Sequence, residues 1–464
     1  MAAPVGRDLT VGSIPRHLVS FSVPMLVGNL LQIGYSIVNM MWVGRMVGAD
    51  AVGATAVTAP LVFIMLALVN GLTLATTILV SQHYGAKDLE SVGRVVSNSF
   101  ALTLIVGIVL TVVGILVADP LLRAMDTPAE IFAMASSYLK ITILGFLLTY
   151  YGNLVISILR GIGDTMTPLI FQAVGLAVNA ILDPLLIIGI GPFPRLGLNG
   201  AAWASLIALG VAFLLAMVYL NRKGHVAAVN PRSFRLDWGI TRKLLQIGFP
   251  SVIQQSLISI GGAFVTTFVN GFGASAIAAY GAATRIDGVA FMPAMSMSMS
   301  ASALAGQNIG ARRLERIREV FWWGVLMTSC ITIVISLGAV LFRRPLLGFF
   351  VDDAQVMDIG AGYLLIEGSS YILFAVMFIS NGIINGSGHT MMTMVFSLLS
   401  LWIFRVPLSA LLTRTPLGIT GIWIAIVVSY AVTMIVSLSY YFSGRWKTPV
   451  LRARKPLVAR GASE

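Results

Sequence analysis

One carboxylate in this sequence has the type and setting of a residue that binds a proton or a small cation. Asp183 interrupts a long apolar run, and Asn179 precedes it by four residues, so both side chains share a face if the run is helical. Pro184 follows directly and cannot donate a hydrogen bond to the carbonyl of Ala180. Hard cations take oxygen ligands such as carboxylates, amides and free carbonyls. The spacing therefore predicts a proton or Na⁺ site at Asp183 and Asn179.

A second acid and a base interrupt apolar runs later in the chain, at Glu367 and Arg405. Glu367 lies about ten residues, and Arg405 about nine, from the end of its apolar run on the same side of the membrane. At about 1.5 Å per helical residue the two side chains lie at nearly equal depth. Successive helices are usually neighbours, and an unpaired buried charge is costly. We therefore expect Glu367 and Arg405 to form an ion pair, either as a static brace or as a working part of the molecule.

A group of methionines offers an adaptable apolar surface. Met292, Met295 and Met299 share one helical face, whereas Met297 points elsewhere. Methionine suits a cavity that accepts differently shaped apolar ligands, although ordinary helix packing explains the same spacing. Copper binding is disfavoured because no histidine or cysteine accompanies the run. The three residues are candidates for lining a substrate cavity.

These residues are embedded in a chain too apolar to be an ordinary soluble protein. Hydrophobic residues make up 57% of the 464 positions and charged residues 10%, with a mean hydropathy of +0.91. Soluble domains carry about 25% charged residues. The single cysteine excludes a disulfide framework, four histidines do not indicate a zinc site, and no phosphate-binding P-loop occurs. The composition predicts an integral membrane protein that does not use ATP on this chain.

Twelve apolar runs are long enough to cross a membrane as helices, which takes about 20 mainly apolar residues. The first run is too long for a signal peptide and lacks a cleavage site, so it counts as a helix. The predicted fold class is therefore an all-α membrane protein with twelve spans. They cover roughly 17–43, 54–80, 95–117, 131–158, 166–190, 200–221, 243–270, 278–305, 320–342, 357–384, 391–413 and 418–442.

The distribution of basic residues predicts the orientation. Of the 30 lysines and arginines, 21 lie in the two terminal segments and alternate connections, and six lie on the opposite side. Basic residues favour the cytoplasmic side. Both termini are therefore predicted to be cytoplasmic, and the net charge of +12 follows from topology and gives no reason to expect a nucleic-acid partner.

The sequence also repeats itself at one offset. Residues 80–86 match 305–311, and residues 161–165 match 386–390, both at a shift of 225. Each half holds six spans, so the halves enter the membrane in the same sense and are related by an axis along its normal. The predicted division is an N-terminal lobe over 1–221, a cytoplasmic linker over 222–242, and a C-terminal lobe with a basic tail over 243–464.

Five motifs together resemble the multidrug and toxic compound extrusion (MATE) transporters, in their prokaryotic, DinF-like branch, over nearly the whole chain. The motifs are Asn39–Gly44, Gly161–Thr165, Leu182–Leu185, Ala290–Pro293 and Gly306–Gly310. The resemblance implies a cation-coupled exporter with two six-helix lobes around a V-shaped central cavity. It also implies a coupling site in the N-terminal lobe, and Asp183 and Asn179 match the family's aspartate and its neighbouring asparagine.

The resemblance adds four further residues to this site. Asn39 stands where the family often has an aspartate, and an asparagine can coordinate a cation or hydrogen-bond Asp183 but cannot take up a proton. This departure favours proton exchange over Na⁺. Tyr138, Asn153 and Ser205 match other polar positions of the family's site, where a packing hydrogen bond is the alternative.

The resulting expectation is an antiporter that is not an enzyme and needs no cofactor. It would export amphipathic, cationic organic compounds in exchange for protons or Na⁺ by alternating access, as a lipid-surrounded monomer in the cytoplasmic membrane of a bacterium. A dedicated exporter or flippase of one metabolite or lipid-linked precursor is an alternative. A membrane enzyme or receptor that moves nothing is a further one. An enzyme would need a cluster of catalytic residues, which the sequence does not show. A receptor would leave the sequence repeat unexplained.

Overall fold

The computed structural model describes residues 6–224, 228 and 235–448, and within these ranges all the regular secondary structure is helical. Ten helices are long and apolar enough to span a membrane, and two bent helix pairs complete twelve spans. The predicted all-α fold with twelve spans is confirmed. The spans are α1 (Ile14–Met46), α2 (Ala49–Gly85), α3 (Leu89–Ala124), α4 (Ala129–Leu144 with Phe146–Gly161), α5 (Met166–Gly189), α6 (Leu198–Arg222), α7 (Trp238–Asn270), α8 (Ala274–Gly310), α9 (Leu314–Leu341), α10 (Ala354–Ser369 with Ile372–Gly386), α11 (Thr390–Leu412) and α12 (Thr420–Phe442). A short helix, Arg343–Gly348, joins α9 to α10, and a single turn, Arg445–Lys447, follows α12.

Several helices extend beyond the apolar runs because polar residues cap them. Asp237 accepts hydrogen bonds from the backbone N–H groups of Gly239 and Ile240, so α7 begins at Trp238, five residues before the predicted start. Asp88 caps α3 in the same way by accepting from the N–H of Ser91. An aspartate cap satisfies N–H groups that the first helical turn leaves free.

The spans α4 and α10 are bent, by 43° and 51° respectively. The break in α4 lies at Gly145, where an added Cβ would come within 2.9 Å of Leu206 on α6. The break in α10 lies around Ser370, which is 225 residues after Gly145. The bends therefore repeat in the two halves, and the sequence analysis did not predict them.

The two halves, α1–α6 and α7–α12, contact each other mainly through α1, α2, α7 and α8. We call the end of the molecule formed by residues 6–13, the α2–α3 turn and the α8–α9 turn the basic end. Within the described ranges, the hydrogen bonds between the halves all lie in the part of the molecule toward this end, none farther along α1 than Asn29, which donates to Ser296. Toward the opposite end the described residues form no hydrogen bond between the halves, as expected if the predicted V-shaped cavity opens there.

The exact boundaries of the two predicted lobes and of the linker stay a prediction. The helix α6 ends at Arg222 and α7 begins at Trp238, so the two halves are joined by the segment predicted as a linker. Residues 225–227 and 229–234 of that linker, and residues 449–464 of the predicted basic tail, lie outside the described residues.

Candidate functional site

Asp183 lies where α5 changes its helical geometry. The α-helix runs over Met166–Pro184 and continues as a π-helical turn over Leu185–Gly189. The N–H of Leu196, just before α6, donates to the carbonyl of Leu186 at 3.0 Å. The end of α5 is thus tied to the start of α6, which holds the aspartate in place.

The carboxylate of Asp183 is bound by two amides and no cation. The side chain is 0% exposed; its Oδ2 accepts from Nδ2 of Asn39 at 2.8 Å, and its Oδ1 accepts from Nδ2 of Asn179 at 3.2 Å. Among the described residues it forms no ion pair, and Lys140 of α4 instead pairs with Asp119 at 2.7 Å. A buried carboxylate without an opposite charge is costly when ionised.

The hydrogen-bond network extends from Asp183 to α1 and α6 through a tyrosine. Nδ2 of Asn39 also donates to Oη of Tyr35 at 3.2 Å, and this hydroxyl lies 3.1 Å from Oγ of Ser205. Since Oη of Tyr35 accepts from Asn39, its own proton is available for Ser205. The sequence analysis missed Tyr35, although its position one helical turn before Asn39 could have indicated it.

The amide of Asn179 has one unused ligand atom. Its Oδ1 is buried without a hydrogen-bond partner, and the side chain is 3% exposed. A bound Na⁺ would need amide oxygens facing it, whereas both Asn39 and Asn179 present their N–H groups to Asp183. In the observed arrangement both amides stabilise the carboxylate as hydrogen-bond donors. In the described part of the chain, no cluster of three histidine, cysteine or acidic side chains could hold a metal.

Two residues carried over from the resemblance lie outside this network. Tyr138 packs against an apolar cluster that contains Val43 and Ile187, and forms no hydrogen bond to Asp183 in the described structure. Asn153 donates from Nδ2 to the carbonyl of Thr149 in its own helix, at 2.9 Å. The structure therefore joins Asn39, Asn179 and, through Tyr35, Ser205 to Asp183 in one hydrogen-bond network. Tyr138 lies close enough to Asp183 for an electrostatic interaction but makes no hydrogen bond to it, and Asn153 bonds within its own helix.

The C-terminal half contains a separate buried acidic cluster. Asp287 of α8 accepts short hydrogen bonds from the hydroxyls of Tyr363 and Tyr371 on α10. Glu367 lies between these tyrosines in the sequence and is 0% exposed, and neither of its carboxylate oxygens has a hydrogen-bond partner. The sequence analysis missed Asp287, although a lone acid within an apolar span is itself a functional signal.

The predicted ion pair between Glu367 and Arg405 is not formed within 4.0 Å among the described residues, although the two groups lie close enough to interact electrostatically. Arg405 ends a π-helical segment over Leu399–Arg405, and its Nε donates to Oγ of Ser429 at 2.7 Å. Its guanidinium carbon lies 4.7 Å from the centre of the Tyr430 ring. Equal depth does not fix the direction of a side chain around its helix, and this arginine binds α12.

The methionine face of α8 is present as predicted. Met295 is 52% exposed, and Met292 and Met299 are half-buried. Met297 is 3% exposed and packs in an apolar core with Leu304. Met295 is thus open to contact and Met292 partly so, whereas Met299 also packs against that core; the role of all three in binding substrate stays a prediction.

Comparison with known proteins agrees with this geometry. The family model described as MatE matches the chain twice, over residues 24–185 and 250–411. Both ends of the second match lie 226 residues after those of the first, close to the offset in the sequence repeat.

Individual proteins match over nearly the whole chain. The probable multidrug resistance protein YoeA of Bacillus subtilis is 32% identical over 435 residues, which cover 92% of this chain and 94% of YoeA. The FAD transporter of Shewanella oneidensis is 26% identical over 456 residues, 97% of each chain.

A solved structure has the same fold. It is described as the outward-facing conformation of a multidrug resistance MATE family transporter of the MOP superfamily, and it matches with a TM-score of 0.87 at 24% identity, over 96% of this chain and 98% of the other. The doubled family match, the extensive similarity to a curated relative and the two-lobe helical fold agree. The chain is a member of the MatE family, the multidrug and toxic compound extrusion transporters of the membrane.

Proposed function

We propose that this protein exports amphipathic organic compounds, preferably cations, in exchange for protons by alternating access. The observation that carries the proposal is the environment of Asp183, a buried carboxylate held by two neutral amides with no counter-charge. Such a group gains from binding either a proton or a cationic substrate, because each removes an uncompensated charge. Mutually exclusive binding of the two is what an exchanger requires.

A proton is the preferred coupling ion. Both amides direct N–H donors at Asp183, and Asn39 replaces the second acid that the family resemblance would lead one to expect. A Na⁺ site at Asp183 would need the amide oxygens to face the ion, and both amides direct their N–H groups at the carboxylate. Na⁺ remains the alternative ion, with Asp183 and Oδ1 of Asn179 as its ligands after rotation of the amide.

The proposed setting is the cytoplasmic membrane of a bacterium, with the basic end and both termini on the cytoplasmic side. The excess of lysine and arginine at this end supports the orientation. The two halves of one chain supply both walls of the cavity, so a monomer in contact with lipid is the proposed working unit. No cofactor is needed besides the coupling ion.

Two substrate classes follow from the relatives. YoeA is a probable multidrug resistance protein, and the exposed Met295 with half-buried Met292 and Met299 gives an adaptable surface that supports broad selection of apolar molecules. The Shewanella oneidensis relative is an FAD transporter, which supports export of a single metabolite as the second candidate function.

The first test separates the two coupling ions. Purified protein in proteoliposomes should export a fluorescent lipophilic cation when a proton gradient is directed against the substrate flux. A Na⁺ gradient of equal size, at equal pH on both sides, should give the rate of protein-free vesicles. Export driven by Na⁺ alone would refute proton coupling, and export driven by neither gradient would refute the exchanger.

A second test asks whether substrate and proton compete for Asp183. Raising the pH from 6 to 8 should strengthen binding of a lipophilic cation several-fold, with about tenfold per pH unit as the upper limit for one competing proton. A neutral analogue should bind equally at both values, because it gains nothing from the ionised carboxylate. Binding to detergent-purified protein measures both; a cation affinity that does not rise with pH would remove the competition.

A further inference from the structure

The repeated motifs of the two halves hydrogen-bond to each other across the molecule. Nε2 of Gln82, on α2, donates to the carbonyl of Gly386 at 2.9 Å, and Nε2 of Gln307, on α8, donates to the carbonyl of Gly161 at 3.0 Å. The glutamines stand 225 residues apart in the sequence, and so do the glycines. Each half thus gives the other the same bond, and both glutamines are buried.

The backbones beside these bonds approach too closely for any side chain. A Cβ on Gly85 would lie 1.9 Å from the carbonyl oxygen of Gln307, and one on Gly310 would lie 1.8 Å from that of Gln82. A Cβ on Gly306 would lie 2.0 Å from Oγ of Ser81. Real Cβ atoms do not come this close to other heavy atoms, so α2 and α8 are in direct backbone contact here and leave no passage between them.

The N-terminal segment, residues 6–12, lies across this contact. The N–H of Arg7 donates to the carbonyl of Ile162 in the N-terminal half, whereas the N–H of Leu9 donates to Oε1 of Gln307 at 2.9 Å. Arg313 of the C-terminal half donates to the carbonyl of Thr10 at 2.7 Å. Gln307 therefore hydrogen-bonds to both Gly161 and the N-terminal segment, whereas Gln82 hydrogen-bonds to Gly386. Replacing Gln307 should remove more contacts than replacing Gln82.

The charge of Asp8 helps to shape this segment. Burial by itself would raise the pKa of the Asp8 carboxyl, but hydrogen bonds from Thr10 and the nearby charges of Lys87 and Arg313 hold that pKa below its usual range. Asp8 is therefore ionised at neutral pH, and the turn that it forms with Thr10 is kept.

We propose that Gln82 and Gln307, with their partners Gly386 and Gly161 and the N-terminal segment across them, form a gate at the basic end of the central cavity. The inference rests on the alternating access proposed above, which requires this end to open. Moving the halves apart breaks both bonds together, because one axis relates them. Both bonds are neutral amide–carbonyl bonds, whose modest net strength lets them re-form in each cycle.

The face of the gate that points away from the central cavity, at the basic end, is open to reagents. A cavity of about 470 Å³ lies there, lined by residues that include Gly85, Lys87, Gly310 and Arg312. On the inner side, Ser302 lies one helical turn from Gly306 on the same face of α8, is 6% exposed, and has a hydroxyl without a hydrogen-bond partner. A cysteine at this position loses no hydrogen bond and reports whether the gate is open.

The experiment measures labelling of Ser302→Cys by a membrane-impermeant maleimide in inside-out vesicles. The exposed native Cys330 is replaced by serine in all variants. We expect Gln307→Ala to speed labelling at least about fivefold, since each lost buried hydrogen bond favours the open form. Gln82→Ala should give a smaller increase, because its loss leaves the N-terminal segment attached.

A matched control lies within the C-terminal half. Gln254 of α7 donates from Nε2 to the carbonyl of Thr393 at 3.0 Å and crosses no boundary between the halves. Gln254→Ala should label at the rate of the parent, and all variants should elute as the parent does on size exclusion. Equal rates in Gln307→Ala and the parent, or an equal acceleration by Gln254→Ala, would overturn the gate. The assay needs no gradient or substrate, so a failure of proton coupling leaves its outcome unaffected.

Discussion

Proton-driven export by Asp183→Asn should fall to the level of protein-free vesicles, while binding of a lipophilic cation stays measurable. The substituted amide keeps the shape of the carboxyl group and still accepts one hydrogen bond from Asn39 or Asn179. It cannot take up or release a proton, so the exchange loses its coupling. The measurement is the initial rate of export under the proton gradient used above.

Two variants serve as controls for this result. Asp119→Asn makes the same chemical change at a half-exposed acid that pairs with Lys140, and it should export at the parental rate. Asn153→Ala should also export normally, because in the described part of the chain the Asn153 side chain hydrogen-bonds to its own helix. Parental export by Asp183→Asn would place the coupling site elsewhere, and the unpartnered Glu367 is then the next residue to test.

Gly310→Ala should abolish export for a different reason. The added Cβ would lie 1.8 Å from the carbonyl oxygen of Gln82. To relieve this clash α2 and α8 must separate, so the basic end can no longer close. Overpacking of this kind costs about 1–3 kcal/mol and occasionally more. We expect a lower melting temperature, fast labelling of Ser302→Cys, and export near background.

The control for this prediction is Gly338→Ala on α9, where an added Cβ meets nothing within 4 Å. Alanine is the better helix former, so this variant should be as stable as the parent or slightly more so. Normal export by Gly310→Ala would show that backbone contact at this point is not required for the cycle.

Residue spacing predicted the parts of the fold and site that depend on one helix at a time. The twelve spans followed from run length, and Asn179 beside Asp183 followed from a four-residue interval. The bend in α4 was not predicted, because it depends on how closely α6 packs against Gly145. A contact made by a neighbouring helix leaves no mark in the local sequence.

The contacts between helices that were predicted correctly are those that the family resemblance supplied. Asn39 was placed beside Asp183 in this way, and the structure shows that bond. The pairing of Glu367 with Arg405 rested on depth alone and failed, because a π-helical segment turns the arginine toward α12. The partners of Gln82 and Gln307 were missed, although equal residues in two parallel halves can meet across their common axis.

In the proposed exchange, the asparagine at position 39 would limit how far substrate can be concentrated. Asp183 is the one acid in its hydrogen-bond network among the described residues, so the proposed exchange would admit one proton for each substrate molecule that leaves. For a singly charged cation this exchange moves no net charge, so the membrane potential contributes nothing to it. A pH difference of one unit then sustains a substrate concentration ratio of at most about tenfold. The free energy released by one proton moving down its gradient must supply the free energy of moving one substrate cation up its gradient. The final ratio in the proteoliposome experiment reports this stoichiometry, and an export pump with these properties would depend on acidity outside the cell.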